Sequence, residues 1–161
     1  MKLIPVLLNS TESNYQSRLS EELIMNRIGA LKEQASMHLK GSITSEHSFA
    51  VYDTWNVVGW NMPGFKRKAA YLMGSITQGV DGPRVNLKVK PNAILPFFGI
   101  VSTLIGLIVS IMALSKTGEP RFLWALGLTF FSLGIIYYLL GSFLRTRLQN
   151  KLIKHLGLNL V

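Results

Sequence analysis

The chain has 161 residues, no cysteine and a formal charge of +9. This length suits one small domain with a helical anchor and excludes two large soluble domains, and the missing cysteine excludes disulfide bonds, thiolate metal sites and a cysteine nucleophile. Residues 1–91 carry 11 basic and 7 acidic side chains, whereas residues 145–161 carry 4 basic side chains and no acidic one. The charge pattern therefore predicts three regions, at 1–91, 92–144 and 145–161.

The first residues contain a short apolar run, residues 2–8, that Pro5 interrupts. Proline cannot donate to a sheet, so the run predicts at best an edge strand. Because it is short and no small-residue cleavage site follows, it does not fit a signal peptide. Residues 10–14 are polar and predict no regular element.

An amphipathic helix is predicted over about 17–36. Ser17 or Ser20 can cap its first turn, and Glu21 and Glu22 suit the positive end of a helix dipole. Apolar residues recur there at helical spacing, with polar and charged residues between them; they are Leu19, Leu23, Ile28, Leu31 and Ala35.

An internal repeat follows the helix. The sequence LKGSIT at residues 39–44 recurs as LMGSIT at residues 72–77, and a second apolar run follows each copy, at 49–52 and 84–89. Turn-forming residues 79–83 separate the second copy from the run that follows it. In residues 84–89 polar and apolar side chains alternate, as in a half-buried strand. The repeat predicts two antiparallel β-hairpins on one sheet with the helix over one face, unless the similarity arises by chance.

A stretch between the hairpins places aromatic residues beside a basic triplet: Trp55, Trp60, Phe65, Lys66, Arg67, Lys68 and Tyr71. Such a stretch could lie on an anionic leaflet or a protein partner, with rings at headgroup level. It could also stack on single-stranded nucleic acid, although the charge of only +4 on this domain argues against that. In the third interpretation the aromatic residues belong to the core and the triplet to a solvated turn.

Two segments without any charged residue follow, 94–114 and 122–144, with 21 and 23 residues. About 20 apolar helical residues cross a hydrocarbon core of roughly 30 Å. The segments predict a two-helix transmembrane hairpin whose first helix acts as the insertion signal. A pair of buried helices in a globular core is the alternative. The lack of ionisable residues argues against a transporter but leaves open a pore built from several copies.

Positive side chains flank the two segments. Arg84, Lys88 and Lys90 precede the first segment, and four basic residues follow the second, whereas the loop 115–121 carries only Lys116 and Arg121 against Glu119. The positive-inside bias therefore predicts a cell-membrane protein with both termini in the cytoplasm.

Small residues form a stripe on each apolar segment. Because such stripes let helix backbones approach closely, they predict tight left-handed packing of the two helices. Glycine could also simply be frequent in membrane helices, or the stripes could pair between chains. The stripes are Gly99, Thr103, Gly106 and Ser110 on the first segment and Gly127, Gly134 and Gly141 on the second.

The C-terminal tail continues the second segment as a basic amphipathic helix. Such a helix could lie on the inner leaflet or fold back onto the soluble domain. Its leucines are spaced by four residues, at Leu144, Leu148, Leu152 and Leu156, and its cations are Arg145, Arg147, Lys151 and Lys154.

The chain resembles a group of bacterial two-span membrane proteins whose soluble part is a small pleckstrin-homology-like β-domain. The resemblance covers most of the chain, although residues 56–65 depart from the pattern. It implies the fold class (α+β, a helix with antiparallel hairpins, then the transmembrane hairpin and the tail) but no reaction. It depends on Gly41, Gly74, Phe49, the strand at 85–89 and Pro91.

No catalytic motif is present. The chain lacks Gly-x-Ser-x-Gly, phosphate-binding and dinucleotide-binding signatures, and its three histidines show no metal-ligand spacing. We therefore expect no cofactor and a non-enzymatic accessory subunit bound to the lipid bilayer and to a protein partner or a second copy. The alternatives are a membrane-active oligomer, an immunity-type protein against a membrane-acting toxin, and a lipid-headgroup enzyme using His47 or Asp53.

Overall fold

The computed structural model describes residues 9–31, 38–53, 68–79, 82–115 and 121–160. This part of the chain forms an α+β structure with one antiparallel sheet of six strands and three helices. The strands are β1 (Thr11–Gln16), β2 (Leu39–Ser45), β3 (Ser48–Asp53), β4 (Ala70–Gly79), β5 (Gly82–Pro91) and β6 (Asn159–Leu160). The helices are α1 (Glu21–Ala30), α2 (Ile94–Ser115) and α3 (Arg121–Leu156). The strand order across the sheet is β2-β3-β4-β5-β1-β6.

Helix α1 begins at its serine cap. The hydroxyl of Ser20 accepts a hydrogen bond from the backbone N–H of Leu23 at 3.4 Å, and Glu21 and Glu22 occupy the first turn. Of the two predicted caps the structure has Ser20, so the predicted start at about residue 17 was too early; Ser20 itself is extended and the helix begins at Glu21. Leu19 packs against the core from outside the helix. Of the predicted range, residues 32–36 lie outside the described residues.

Both predicted hairpins are present, as β2–β3 and β4–β5. The repeated glycines have a packing role, because each leaves room for a group that lies on the sheet. A methyl group at Gly74 would overlap the ring of Phe49, and one at Gly41 would overlap the carbonyl of Ile28 in α1. The repeat thus marks two close approaches to the buried face of the sheet.

Strand β1 was not predicted, since its residues are almost all polar. It pairs with β5 over its whole length, from Thr11 opposite Val89 to Gln16 opposite Arg84. Only Tyr15 contributes a buried ring, while the other face of the strand hydrogen-bonds to β5 through polar side chains. Cross-strand pairing rather than apolar alternation therefore defines this strand.

The core lies on one face of the sheet, between the strands, α1 and the C-terminal part of α3. Val85, Leu87 and Val89 of β5 all point to that face and are fully buried. No described element covers the opposite face, on which Met73 is half exposed. Among the described residues, the sheet therefore has one covered and one open face.

Helices α2 and α3 are long and apolar enough to cross a membrane, with 22 and 36 residues. Only 22% and 11% of their most apolar stretches are buried within the chain, so most of these side chains face outward. A core helix of a soluble protein would be mostly buried. The two helices pack against each other along their apolar parts. The C-terminal part of α3 then packs against the sheet.

Candidate interaction surfaces

The two stripes of small residues face each other along the contact between α2 and α3. A methyl group at Gly106 would lie 2.5 Å from the backbone nitrogen of Phe131 and 2.7 Å from the carbonyl oxygen of Gly127. One at Gly134 would lie 2.7 Å from the carbonyl oxygen of Gly99. The backbones therefore touch at these positions. The structure pairs the stripes within one chain rather than leaving them for a second copy.

The polar members of the stripes are satisfied inside their own helix. The hydroxyl of Thr103 donates to the carbonyl of Gly99, and that of Ser110 donates to the carbonyl of Gly106, both at 2.8 Å. Such bonds remove the cost of a polar group in an apolar layer. Gly141 differs, because an added methyl group would meet Leu95 only at an ordinary 3.5 Å.

The C-terminal part of α3 is attached to the sheet by four leucines and by polar side chains on either side of them. Arg145 donates to the backbone carbonyl of Asn9 at 2.9 Å and also to its side-chain oxygen. Gln149 donates to the hydroxyl of Tyr15 at 2.8 Å. The leucines, each at most 2% exposed, are Leu144, Leu148, Leu152 and Leu156. Of the two predicted positions of the tail, the structure has the one folded onto the soluble domain.

Strand β5 continues into α2 after only two residues. The backbone N–H of Asn92 donates to the carbonyl of Ala69, and its side-chain amide donates to the carbonyl of Lys68, both at 3.0 Å. Its side-chain oxygen accepts from the N–H of Ile94 at 3.1 Å and so closes the first turn. The sheet is therefore joined to both long helices without a flexible linker.

A row of aromatic and basic side chains crosses the open face of the sheet. Lys40, Tyr52, Tyr71 and Lys90 are successive neighbours on β2, β3, β4 and β5. The ammonium of Lys68 lies 3.7 Å from the centroid of the Tyr52 ring, within cation–π range. We call these five residues the tyrosine–lysine row. It lies near the end of β5 from which the chain continues into α2.

The sequence did not reveal this row as a group, because only strand register brings its members together. The repeat does not indicate it either, because it aligns Lys40 with Met73, whereas the strand register brings Lys40 level with Tyr71. Of the predicted aromatic and basic stretch, Lys68 and Tyr71 belong to the row, whereas Trp55, Trp60, Phe65, Lys66 and Arg67 lie outside the described residues.

A second surface lies on α3 where it leaves its apolar part. The groove has a volume of about 390 Å³. Its described lining residues recur every three or four positions and so share one helix face. They are Phe143, Thr146, Arg147, Asn150, Lys151 and Lys154. We call this surface the α3 groove. It contains three of the four predicted tail cations, while the fourth, Arg145, points to Asn9.

The groups considered for catalysis do not meet. His47 and Asp53 lie at opposite ends of the six-residue strand β3, which corresponds to about 20 Å. His47 contacts the Glu21 carboxylate, whose hydrogen bond and charge raise the pKa of His47 above 6.5. Asp53 is 1% exposed, and its carboxylate lies 3.9 Å from the ammonium of Lys151. Within the described ranges, no three His, Asp or Glu side chains are grouped to hold a metal ion.

The arrangement thus offers binding chemistry at two surfaces, an aromatic and basic row on the sheet and a basic groove on α3. The row lies close to the start of α2, and the groove lies where the apolar part of α3 ends. Comparison of the chain with protein-family models, with curated proteins and with solved structures gave no match.

Proposed function

We propose that this chain is a non-enzymatic membrane-anchored accessory subunit that presents its small domain to a protein partner at the cytoplasmic face of a bacterial inner membrane. The continuity of α3 carries this proposal. One uninterrupted helix of 36 residues contributes first to the apolar pair and then to the core of the domain. In the proposed arrangement the domain has a fixed orientation relative to the bilayer. The resemblance to two-span proteins with a pleckstrin-homology-like domain belongs to the same proposal.

The outward faces of α2 and α3 support the membrane anchor. Leu107, Ile108 and Ile111 on α2 and Leu128 and Leu139 on α3 are each at least half exposed. A soluble monomer rarely exposes so large a continuous apolar surface, whereas acyl chains would cover it.

The positions of the cations support the proposed orientation. Lys88 and Lys90 precede α2, and Arg145 and Arg147 follow the apolar part of α3, so all four lie at the same end of the helix pair. Positive residues at one end of short spans favour the cytoplasmic side.

The tyrosine–lysine row is the surface that we assign to the partner. It lies on the uncovered face, and its tyrosines combine a large apolar area with a hydrogen-bonding group. Tyrosine is among the residues enriched in interface cores, and the surrounding lysines favour an acidic partner. The row is also next to the start of α2, where a membrane-bound partner would come close.

The alternatives have less support. A pore would need contacts between copies, yet the glycine stripes that suggested it are occupied within one chain. An enzyme acting on lipid headgroups has no support from His47 and Asp53, which lie at opposite ends of β3. The immunity-type hypothesis depends only on size and topology.

The native mass of the protein, extracted gently from its own membrane, tests the proposal. We expect the wild type to form a stoichiometric complex with a second protein. The double variant Tyr52→Ala/Tyr71→Ala should not form this complex. The control variant Ser75→Ala/Thr77→Ala alters the same face of β4 away from the row and should keep the complex. A chain that is monomeric and without partner would contradict the proposal. A homo-oligomer of fixed number would favour the membrane-active alternative, with conductance as the next measurement.

A further inference from the structure

We propose that the α3 groove binds the headgroup of an anionic phospholipid from the surrounding bilayer. The inference rests on the membrane orientation proposed above but goes beyond it, because it concerns a lipid and a surface that faces away from the tyrosine–lysine row. The occupant is argued from three properties of the groove: its depth, the direction of its side chains and its charge.

The depth of the groove matches the headgroup layer. Phe143 is the second-last residue of the uncharged stretch 122–144 and is 59% exposed, so it lies at the end of the apolar layer. Helical rise places Arg147 about 6 Å and Lys151 about 12 Å beyond it. The polar layer on each side of a bilayer is about 5–8 Å thick. In the proposed arrangement Arg147 therefore lies at the level of the lipid phosphates. The ring of Phe143 lies closer to the bilayer centre, where it can contact acyl chains.

The direction of the side chains brings the most distant cation toward the same layer. Side chains on an α-helix lean toward its N-terminus. Helix α3 runs from its apolar part toward the sheet, so its N-terminal direction points back to the bilayer. Lys154, which is exposed, can thus extend its side chain along the groove and hold its ammonium group nearer to the headgroups, whereas the ammonium of Lys151 lies beside Asp53.

The charge of the groove favours an anion. Its six described lining residues include three cations, two neutral polar side chains and no acid. The facing acidic group is Asp53, a buried carboxylate 3.9 Å from the ammonium of Lys151. Arginine can bind a phosphate through two parallel hydrogen bonds, which suits Arg147 for the lipid phosphate. The chain's own segment 54–67 contains Lys66 and Arg67 but no acidic residue, so charge does not favour it as the occupant.

The test uses the full chain, delipidated in a neutral detergent and titrated with short-chain phosphatidylglycerol or phosphatidylcholine. We expect the wild type to prefer phosphatidylglycerol. The double variant Arg147→Gln/Lys154→Gln should bind it about 30-fold more weakly, since each cation near an anionic surface contributes about fivefold. Lys151 stays unchanged, because it also contacts Asp53. The control Arg84→Gln/Lys88→Gln removes the same charge from exposed positions on β5 and should bind like the wild type.

Three results would overturn the inference. Equal binding of the two lipids would show that charge does not select the occupant, and equal losses in both double variants would show attraction by the overall charge only. Binding of an acidic peptide that neither lipid displaces would show that the groove binds a protein instead. If Arg147→Gln/Lys154→Gln lowers the thermal unfolding midpoint, the single exposed change Lys154→Gln gives the same comparison, with an expected loss of about fivefold. No partner protein takes part, so this result is independent of the proposed accessory role.

Discussion

The two parts of α3 bury different side chains along one continuous helix. Against α2 the helix buries Gly127, Gly134 and Gly141 at a spacing of seven, whereas against the sheet it buries leucines at a spacing of four. Small residues let two helix backbones touch, which gains dispersion contacts where lipid supplies no hydrophobic effect. Leucines instead fill the wider space between a helix and a sheet and are removed from water. The surroundings thus decide which side chain stabilises a contact.

The largest expected effect comes from Leu148→Ala. Leu148 is fully buried between α3 and the sheet, so its loss leaves a cavity and should lower the free energy of unfolding by about 3 kcal/mol. Leu139→Ala removes the same atoms from the outward face of the apolar part, where Leu139 is 60% exposed. In the proposed arrangement lipid or detergent chains would replace the missing contacts there, and we expect a loss of less than about 1 kcal/mol. Denaturant unfolding of the detergent-solubilised chain measures both, and similar losses would contradict the comparison.

The next effect tests the glycine contact with the smallest possible addition. In Gly106→Ala the new methyl group would collide with the backbone of α3, and we expect a loss of about 2 kcal/mol despite the better helix propensity of alanine. Gly141→Ala is the matched control, because its methyl group would meet Leu95 at an ordinary distance of 3.5 Å. Titration with a denaturing detergent compares the two. If both variants are equally stable, close backbone contact does not hold the helices together.

The smallest effect concerns an exposed contact, in which neither lipid nor burial strengthens the interaction. The hydrogen bond and charge of Glu21 raise the pKa of His47 above 6.5. A raised histidine pKa means that this stabilisation is fully present below about pH 6.5 and disappears as the pH rises through the folded-state pKa. In the wild type we expect a small decrease in the unfolding midpoint as the pH rises above about 6.5, and His47→Gln should remove this decrease. An NMR titration of His47 with a pKa at or below 6.5 would contradict the interpretation.

The sequence predicts those elements whose pattern is local. Residues 94–114 and 122–144 stand out because they contain no charge, and both lie in the observed long helices. The hairpins could be predicted from the repeat because a turn and a second apolar run follow each copy. The position of the tail was left open, since leucines at a spacing of four fit a leaflet surface and a sheet equally well.

Elements defined by distant partners could not be predicted. Strand β1 contains only one buried apolar side chain, Tyr15, and becomes a strand through its pairing with β5, about seventy residues further along the chain. The tyrosine–lysine row depends on the register of four strands, which no local spacing encodes. The start of α1 was misplaced because Ser17 and Ser20 are both suitable caps, and only the fold selects Ser20.

The continuity of α3 also has a mechanical consequence. A helix of 36 residues is about 54 Å long, and a tilt of about 10° would move its far end by about 9 Å. Because leucines and polar side chains fix the sheet to that end, the sheet would move with the helix as one body. In the proposed arrangement, a change in bilayer thickness that tilts the helices becomes a lateral displacement of the tyrosine–lysine row.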